Sequence, residues 1–123
     1  MTATVPVISI VDDDVSVRRA LRRLLQAAGY AVETFASAQE FLDSVPSPRT
    51  ACLVLDIYLD TGMSGFDLRE RLATDQIDIP IIFITAHDDI ATRERLRESV
   101  VAAYLTKPFD GPALLDTIRR VVG

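Results

Sequence analysis

The stretch 51–58, Ala-Cys-Leu-Val-Leu-Asp-Ile-Tyr, decides the fold, because its first five residues are apolar without a break and then meet Asp56. A continuous apolar run of this length is typical of a strand buried on both faces of a parallel sheet. In open α/β sheets, ligands bind outside the carboxyl ends of the strands. We therefore expect Asp56 at the edge of the sheet where chemistry takes place.

The composition indicates one globular domain and excludes several classes of protein. Of the 123 residues, 49% are hydrophobic and 25% are charged, and the net charge is −5. A nucleic-acid-binding surface would be basic. No apolar stretch approaches the roughly 20 residues of a membrane span, and the amino terminus lacks the features of a signal peptide. We expect a cytoplasmic protein with a buried thiol at Cys52.

Apolar runs of strand length alternate with segments of helical spacing along the whole chain. The expected strands lie at 5–11, 31–35, 51–56, 79–84 and 101–105, and the expected helices at about 15–28, between 37 and 46, 66–73, 88–98 and 110–122. Asp14 and Ser37 are expected to cap the first two helices, and Gly29 to stop the first. This alternation predicts an α/β fold, a parallel sheet covered on both faces.

Polar side chains follow four of the expected strands. Asp12 and Asp13 follow the first, Asp56 the third, Thr85 the fourth, and Lys107, the only lysine, the fifth. Three converging carboxylates repel one another unless a cation or a proton is present. All-oxygen ligands suit Mg²⁺, while an ammonium and a hydroxyl can hold phosphoryl oxygens. Carboxylates also act as phosphoryl acceptors, so the pattern predicts phosphoryl chemistry at a Mg²⁺ site.

These residues carry a resemblance to a known family. The motifs are Asp12-Asp13-Asp14 after a strand, Asp56 followed by Met63-Ser64-Gly65, Thr85-Ala86, and Tyr104-Leu-Thr-Lys107-Pro108-Phe109. Over essentially all 123 residues the chain resembles a response-regulator receiver domain of bacterial two-component signalling, of the nitrogen-fixation-regulator-like group. The resemblance implies a flavodoxin-like (βα)5 doubly wound five-stranded sheet of order 2-1-3-4-5. It also implies a single receiver domain over residues 1–123, with no output domain.

The resemblance assigns the phosphoryl and metal chemistry to particular residues. Asp56 would be the phosphoacceptor and would bind Mg²⁺ directly together with Asp13. The backbone carbonyl of Tyr58 would be a third ligand, and Asp12 would act through water. Arg18 and Arg22, on the outer face of the first helix, would form a docking patch for a sensor histidine kinase.

The resemblance further implies a switch instead of an enzyme. Thr85 and Lys107 would contact the phosphoryl oxygens, and the Lys107–Pro108 bond is expected to be cis. When Thr85 moves toward the phosphoryl group, Tyr104 would turn inward and change the face of the fourth helix, fifth strand and fifth helix. That face would control an output domain, a partner or a homodimer, without direct contact to nucleic acid or membrane. Self-catalysis would be limited to phosphoryl acceptance and slow autodephosphorylation.

Two positions depart from the family's pattern. Asp60 stands where a proline is usual and the loop to Gly65 is one residue longer, which affects the metal geometry near Tyr58 and the start of the third helix. Val100 stands where a glycine usually ends the fourth helix. That helix has little apolar content, chiefly Ile90 and Leu96, and we expect it to be weakly held.

The residues leave two other functions open. Asp12-x-Asp14-x-Ser16 nearly matches the nucleophile motif of haloacid-dehalogenase-like phosphatases, with Asp12 as the nucleophile. Against that reading, the last motif position is Ser, and neither a cap domain nor an acidic pair downstream of Lys107 is present. The third function is a phosphorylation-independent interaction module, which the complete set of site residues disfavours and the altered loop after Asp56 favours.

Overall fold

The structure, a computed structural model, describes residues 5–44, 50–59, 62–86, 89–98 and 103–123. Its strands are β1 (Val7–Val11), β2 (Ala31–Phe35), β3 (Thr50–Asp56), β4 (Ile81–Thr85) and β5 (Ala103–Thr106). Its helices are α1 (Val15–Ala27), α2 (Ala38–Ser44), α3 (Gly65–Thr74), α4 (Ile90–Glu98) and α5 (Gly111–Val122). The predicted alternation of strands and helices is confirmed.

The strands form one parallel sheet in the order β2-β1-β3-β4-β5. This is the order that the family resemblance implied, and periodicity alone could not have given it. Because β1, β3, β4 and β5 are consecutive neighbours, their carboxyl ends lie side by side at one edge of the sheet. The residues that end or follow these strands are therefore brought together.

Side chains of β3 alternate between two apolar clusters, one on each face of the sheet. Leu53 and Leu55 join a cluster with residues of α2, α3 and α4. Cys52 and Val54 join a second cluster with residues of α1 and α5. All four are completely buried, as an unbroken apolar strand requires. Burial raises the pKa of the Cys52 thiol to about 12, so this cysteine is an inert core residue.

Local capping chemistry sets the helix ends. The Asp14 side chain accepts a hydrogen bond from the Ser16 N–H, and Gly29 stops α1 with a φ of 97°. Both predictions are confirmed, as is the cap at Ser37, whose hydroxyl accepts from the Glu40 N–H. The helix α3 begins in a complete capping box at Ser64.

Several predicted boundaries were wrong by one or two residues, and prolines explain two of them. The strands β1 and β4 begin only after Pro6 and Pro80, because a proline has no N–H to donate to a ladder. The strand β4 also extends to include Thr85. Of the two apolar residues named for the fourth helix, Ile90 is 74% exposed.

In α4 the buried residues are instead Thr92 and Leu96. The side chain of Asp89 accepts a hydrogen bond from the Thr92 N–H at the start of α4. Asp60 and Val100, where the sequence departs from the family's pattern, lie outside the described residues.

Candidate functional site

Asp56 is the last residue of β3, and only 6% of it is exposed. One carboxylate oxygen lies 3.2 Å from the Nζ atom of Lys107. The other oxygen accepts a hydrogen bond of 3.3 Å from the backbone N–H of Tyr58. A buried strand behind Asp56 and two donors in front of it therefore fix the carboxylate at the edge of the sheet.

Asp12, directly after β1, is fully buried and its carboxylate is fully engaged. One oxygen accepts from the Asp14 N–H at 2.9 Å, and the other accepts from Lys107 Nζ at 2.9 Å. The backbone carbonyl of Asp12 also accepts a hydrogen bond from Arg18, at 2.6 Å. Arg18 is thus half-buried against the site, and its guanidinium is not simply part of a solvated helix face.

Three carboxylates converge at this edge, as the sequence predicted. Asp12, Asp13 and Asp56 each offer an oxygen, and these oxygens all lie within 4.8 Å of one another. A cluster of oxygen donors without nitrogen or sulfur suits a hard cation such as Mg²⁺. Since one ammonium cannot balance three carboxylates, the residues present fit a divalent ion.

The pKa shifts of Asp56 and Lys107 follow from this imbalance. Burial raises the pKa of the Asp56 carboxyl, and the neighbouring Asp12 charge raises it further, while Lys107 and the Tyr58 N–H only partly oppose this. Burial lowers the pKa of Lys107, but the hydrogen bonds and charges of Asp12 and Asp56 outweigh it, so the net shift is upward. The two upward pKa shifts are consistent with each other. Two carboxylates share one ammonium, so the Lys107 ammonium is stabilised while the negative charge of Asp56 is only partly balanced. The site favours an added positive charge.

Thr85 and Lys107 are joined through the backbone. Thr85 ends β4 almost completely buried, and its carbonyl accepts a hydrogen bond of 2.7 Å from the Lys107 N–H. The Lys107–Pro108 bond is cis, as expected. The turn after β5 is thereby held against the end of β4, and Lys107 reaches toward β1 and β3.

Tyr104 lies on the edge strand β5, and 44% of it is exposed. It lines a groove of about 590 Å³ between α4 and β5, together with Arg93, Arg97, Leu105 and Thr106. The predicted switch residue is therefore accessible at the face formed by α4, β5 and α5. Its role as a switch remains a prediction.

Two contacts of the site were not predicted from the sequence. One is the hydrogen bond from Arg18 to the Asp12 carbonyl. The other joins the Tyr58 hydroxyl to the Thr92 Oγ1 atom of α4 at 2.6 Å. The role expected of Tyr58 concerns only its backbone carbonyl, and no spacing rule links its hydroxyl to a residue 34 positions away.

Comparison with known proteins gives a consistent result. Residues 8–119 match the model of the response regulator receiver domain. Nodulation protein W of Bradyrhizobium diazoefficiens is 42% identical over 116 residues, which cover 94% of this chain and 51% of that protein. The transcriptional regulatory protein FixJ of the same organism is 32% identical over 115 residues, covering 94% and 56%. The chain thus spans about half the length of the curated relatives it matches.

A solved structure extends the likeness to three dimensions. The response regulator receiver protein from Burkholderia phymatum is 43% identical, with a TM-score of 0.83 and coverage of 96% of this chain and 95% of that one. Among the described residues, no helix is long and apolar enough to cross a membrane. With the sheet order, the acidic cluster and these matches, the chain belongs to the response regulator receiver domain family, the phosphoacceptor signalling modules of two-component systems, and is similar to its FixJ-type members.

Proposed function

We propose that this chain is a phosphorylation-controlled switch in which Asp56 accepts a phosphoryl group from a sensor histidine kinase. The observation that carries the proposal is the position of the Asp56 carboxylate. It lies 3.2 Å from Lys107 and within an oxygen cluster shared with Asp12 and Asp13. This arrangement provides a nucleophile, a fixed positive charge and a place for a cation in one crevice.

The reaction transfers a phosphoryl group from the phosphohistidine of the kinase to the carboxylate of Asp56. An Asp56 oxygen forms a bond to phosphorus, while the bond from phosphorus to the kinase histidine breaks and the imidazole keeps the electron pair. Asp13, Asp56 and the carbonyl of Tyr58 would hold Mg²⁺, which supplies positive charge to the phosphoryl oxygens. Lys107 contributes a second positive charge, and the Thr85 hydroxyl donates to a phosphoryl oxygen. Slow hydrolysis of the acyl phosphate then resets the switch.

Exposure distinguishes Asp56 from Asp12 as the nucleophile. The Asp12 side chain is 0% exposed, so no atom of it is open to an incoming substrate. The Asp56 side chain is 9% exposed, so an incoming phosphoryl group can reach it. This observation supports the receiver chemistry over a phosphatase with Asp12 as the nucleophile.

Acetyl phosphate with Mg²⁺ tests the acceptor. Intact-mass measurement of the wild-type protein is expected to show one added phosphoryl group, labile in acid, and peptide mapping should place it on Asp56. Asp56→Asn abolishes the label, whereas Asp12→Asn, the matched variant, leaves Asp56 available and still allows labelling. An unshifted mass for a wild-type protein with verified fold would eliminate the switch. Labelling that is lost only in Asp12→Asn would establish the phosphatase chemistry.

We propose in addition that Thr85 and Tyr104 transmit the phosphorylated state to the face formed by α4, β5 and α5. The partial exposure of Tyr104 and its place in the groove between α4 and β5 support this, because the ring is not packed into the core. Beryllium fluoride with Mg²⁺, a mimic of the phosphoryl group, is expected to shift the ring resonances of Tyr104. Unchanged ring resonances at saturation would remove Tyr104 from the mechanism. Through this face the chain would act on an output domain, a partner or a second copy.

The docking of the kinase is proposed on the α1 side of the site. A groove of about 560 Å³ runs there between α1 and the turn after β5. It is lined by Val17, Ala20, Leu21, Leu24, Ala86, Lys107, Pro108, Phe109 and Gly111. Because Lys107 belongs to both the groove and the acidic site, a helix seated there would present its phosphohistidine to Asp56.

Arg22 tests the docking separately from the chemistry. It is exposed on α1, four residues after Arg18. Arg22→Glu is expected to slow phosphotransfer from a phosphorylated sensor kinase while the rate with acetyl phosphate stays unchanged. Equal phosphotransfer by the variant and the wild type would exclude Arg22 from the docking patch.

A further inference from the structure

Tyr58 makes contacts in two directions from its place two residues after Asp56. Its backbone N–H donates to the Asp56 carboxylate at 3.3 Å. Its side-chain hydroxyl lies 2.6 Å from the Oγ1 atom of Thr92, in the first turn of α4. One residue therefore links the acceptor carboxylate to a helix on the face that carries the signal.

The hydroxyl pair is partly buried, because Thr92 lies in the protein interior while 43% of Tyr58 is exposed. Only 3% of Thr92 is exposed, and apart from Leu96 no other described residue of α4 is buried. A hydrogen bond to a buried hydroxyl such as that of Thr92 counts more when little apolar packing accompanies it, since removing the partner costs the buried group a hydrogen bond.

A second contact joins α4 to the far end of the same loop. The guanidinium of Arg95 lies 4.2 Å from the ring centroid of Phe66, which directly follows Gly65. The loop itself is closed by the hydrogen bond of 2.7 Å from the Gly65 N–H to the Ile57 carbonyl. The helix α4 thus contacts the segment after Asp56 near both of its ends, and the two should move together.

We propose that Tyr58 is a positioning residue for the acceptor site, and that its hydrogen bond to Thr92 couples cation binding beside Asp56 to the position of α4. The inference rests on the proposed function, because it takes the Tyr58 carbonyl as a ligand. The hydroxyl bond holds the loop so that the backbone of Tyr58 faces Asp56. Since coupling between two sites is reciprocal, a cation that favours this loop conformation also holds α4 in place.

A Mg²⁺ titration, followed by the amide NMR shifts of Asp13 and Asp56, tests the coupling. Tyr58→Phe and Thr92→Val should each weaken Mg²⁺ binding roughly five-fold, the effect of one net hydrogen bond. The double variant should be no weaker than either single one, because both changes remove the same interaction. Thr92→Ser, which keeps the hydroxyl, should restore the wild-type affinity.

Tyr30→Phe is the matched control. Tyr30 directly precedes β2, at the opposite edge of the sheet, and packs in the cluster of α1 and α5. Loss of its hydroxyl should leave the Mg²⁺ affinity unchanged. If Thr92→Val does not fold, Tyr58→Phe and Thr92→Ser still decide the question.

Hydrogen exchange supplies a second readout. In the wild type, Mg²⁺ with beryllium fluoride should slow the exchange of α4 amides, and in Tyr58→Phe this protection should be lost while α5 is unaffected. Equal Mg²⁺ affinity in the wild type and Tyr58→Phe, or additive losses in the double variant, would overturn the coupling alone. A wild-type protein that binds no Mg²⁺ would overturn the coupling and the proposed function together.

Discussion

The helices α4 and α5 flank the same edge strand, but they are attached in different ways. The 12-residue α5 buries Leu114, Thr117 and Ile118, and the Asp110 side chain caps its first turn. The nine-residue α4 buries only Thr92 and Leu96 and is further held by a hydroxyl pair and a cation–π contact. Apolar packing makes α5 part of the scaffold, whereas α4 can shift by exchanging a few polar contacts.

Leu114→Ala should give the largest loss, because Leu114 is completely buried between α5 and the sheet. Removing such a leucine side chain leaves a cavity and lowers the free energy of unfolding by about 3 kcal/mol. Urea denaturation followed by circular dichroism measures this loss. Leu115→Ala is the control. Because the neighbouring Leu115 is only half-buried, this change should lower the free energy of unfolding less than Leu114→Ala does.

Leu96→Ala is the corresponding change in α4 and should cost less, about 1–2 kcal/mol of global unfolding free energy. Although Leu96 is as well buried as many core residues, α4 can open without the rest of the fold, which limits the cost. Amide exchange should accelerate throughout α4 and stay unchanged in α5. A global loss equal to that of Leu114→Ala would contradict the contrast between the two helices.

Asp56→Asn should stabilise the protein in the absence of divalent ions, by about 1 kcal/mol at pH 7. Because burial and Asp12 raise the pKa of folded Asp56, the unfolded chain loses this proton first, and ionisation lowers the stability of the wild type as pH rises. The gain should therefore vanish below the ordinary aspartate pKa of 3.8 and grow as pH rises through the folded pKa.

Denaturation midpoints of wild type and Asp56→Asn from pH 3 to 7 measure this effect. If Asp56→Asn slows amide exchange in α4 but leaves the denaturation midpoint unchanged, the destabilising effect of the Asp56 charge is confined to α4. A constant difference at all pH values would show that charge is not its origin.

The smallest effects concern the two aspartate caps. The Asp110 side chain accepts from the Ala113 N–H at 2.8 Å, and the Asp89 side chain accepts from the Thr92 N–H at 2.7 Å. Asp110→Ala should cost about 0.5–1 kcal/mol of global stability. Asp89→Ala removes a bond of similar length, but it should lower the free energy of unfolding by only about 0.3 kcal/mol. Its main effect should be faster amide exchange at the start of α4.

Local chemistry explains how far the fold could be predicted. The unbroken apolar run before Asp56, the cap at Asp14 and the stop at Gly29 each determine the conformation of a few neighbouring residues. Pro6 and Pro80 could have placed the strand starts correctly, because each lacks the N–H that a ladder needs. Strand order was available only through the family resemblance, since periodicity does not say which strands are neighbours.

The site was predictable where its residues end strands, and not where side chains cross between elements. Asp56 and Lys107 meet because parallel strands share an edge. The bond between Tyr58 and Thr92 depends on how α4 packs, and nothing in the local sequence encodes it. The same limit applies to α4, because the apolar character of Ile90 does not reveal that this residue lies on the exposed side of the helix.

The close approach of Gly65 to the end of β3 makes the position of Asp56 sensitive to substitution at Gly65. A β-carbon at this position would lie 2.5 Å from the Asp56 carbonyl oxygen and 2.9 Å from the Ile57 Cα atom. Both neighbours are backbone atoms, so neither can swing aside to make space. Any residue larger than glycine would push the start of α3 away from β3. This shift would change the orientation of the Asp56 carboxylate, which receives the phosphoryl group. A single methyl group added behind the backbone of Asp56 is thus enough to disturb phosphoryl acceptance.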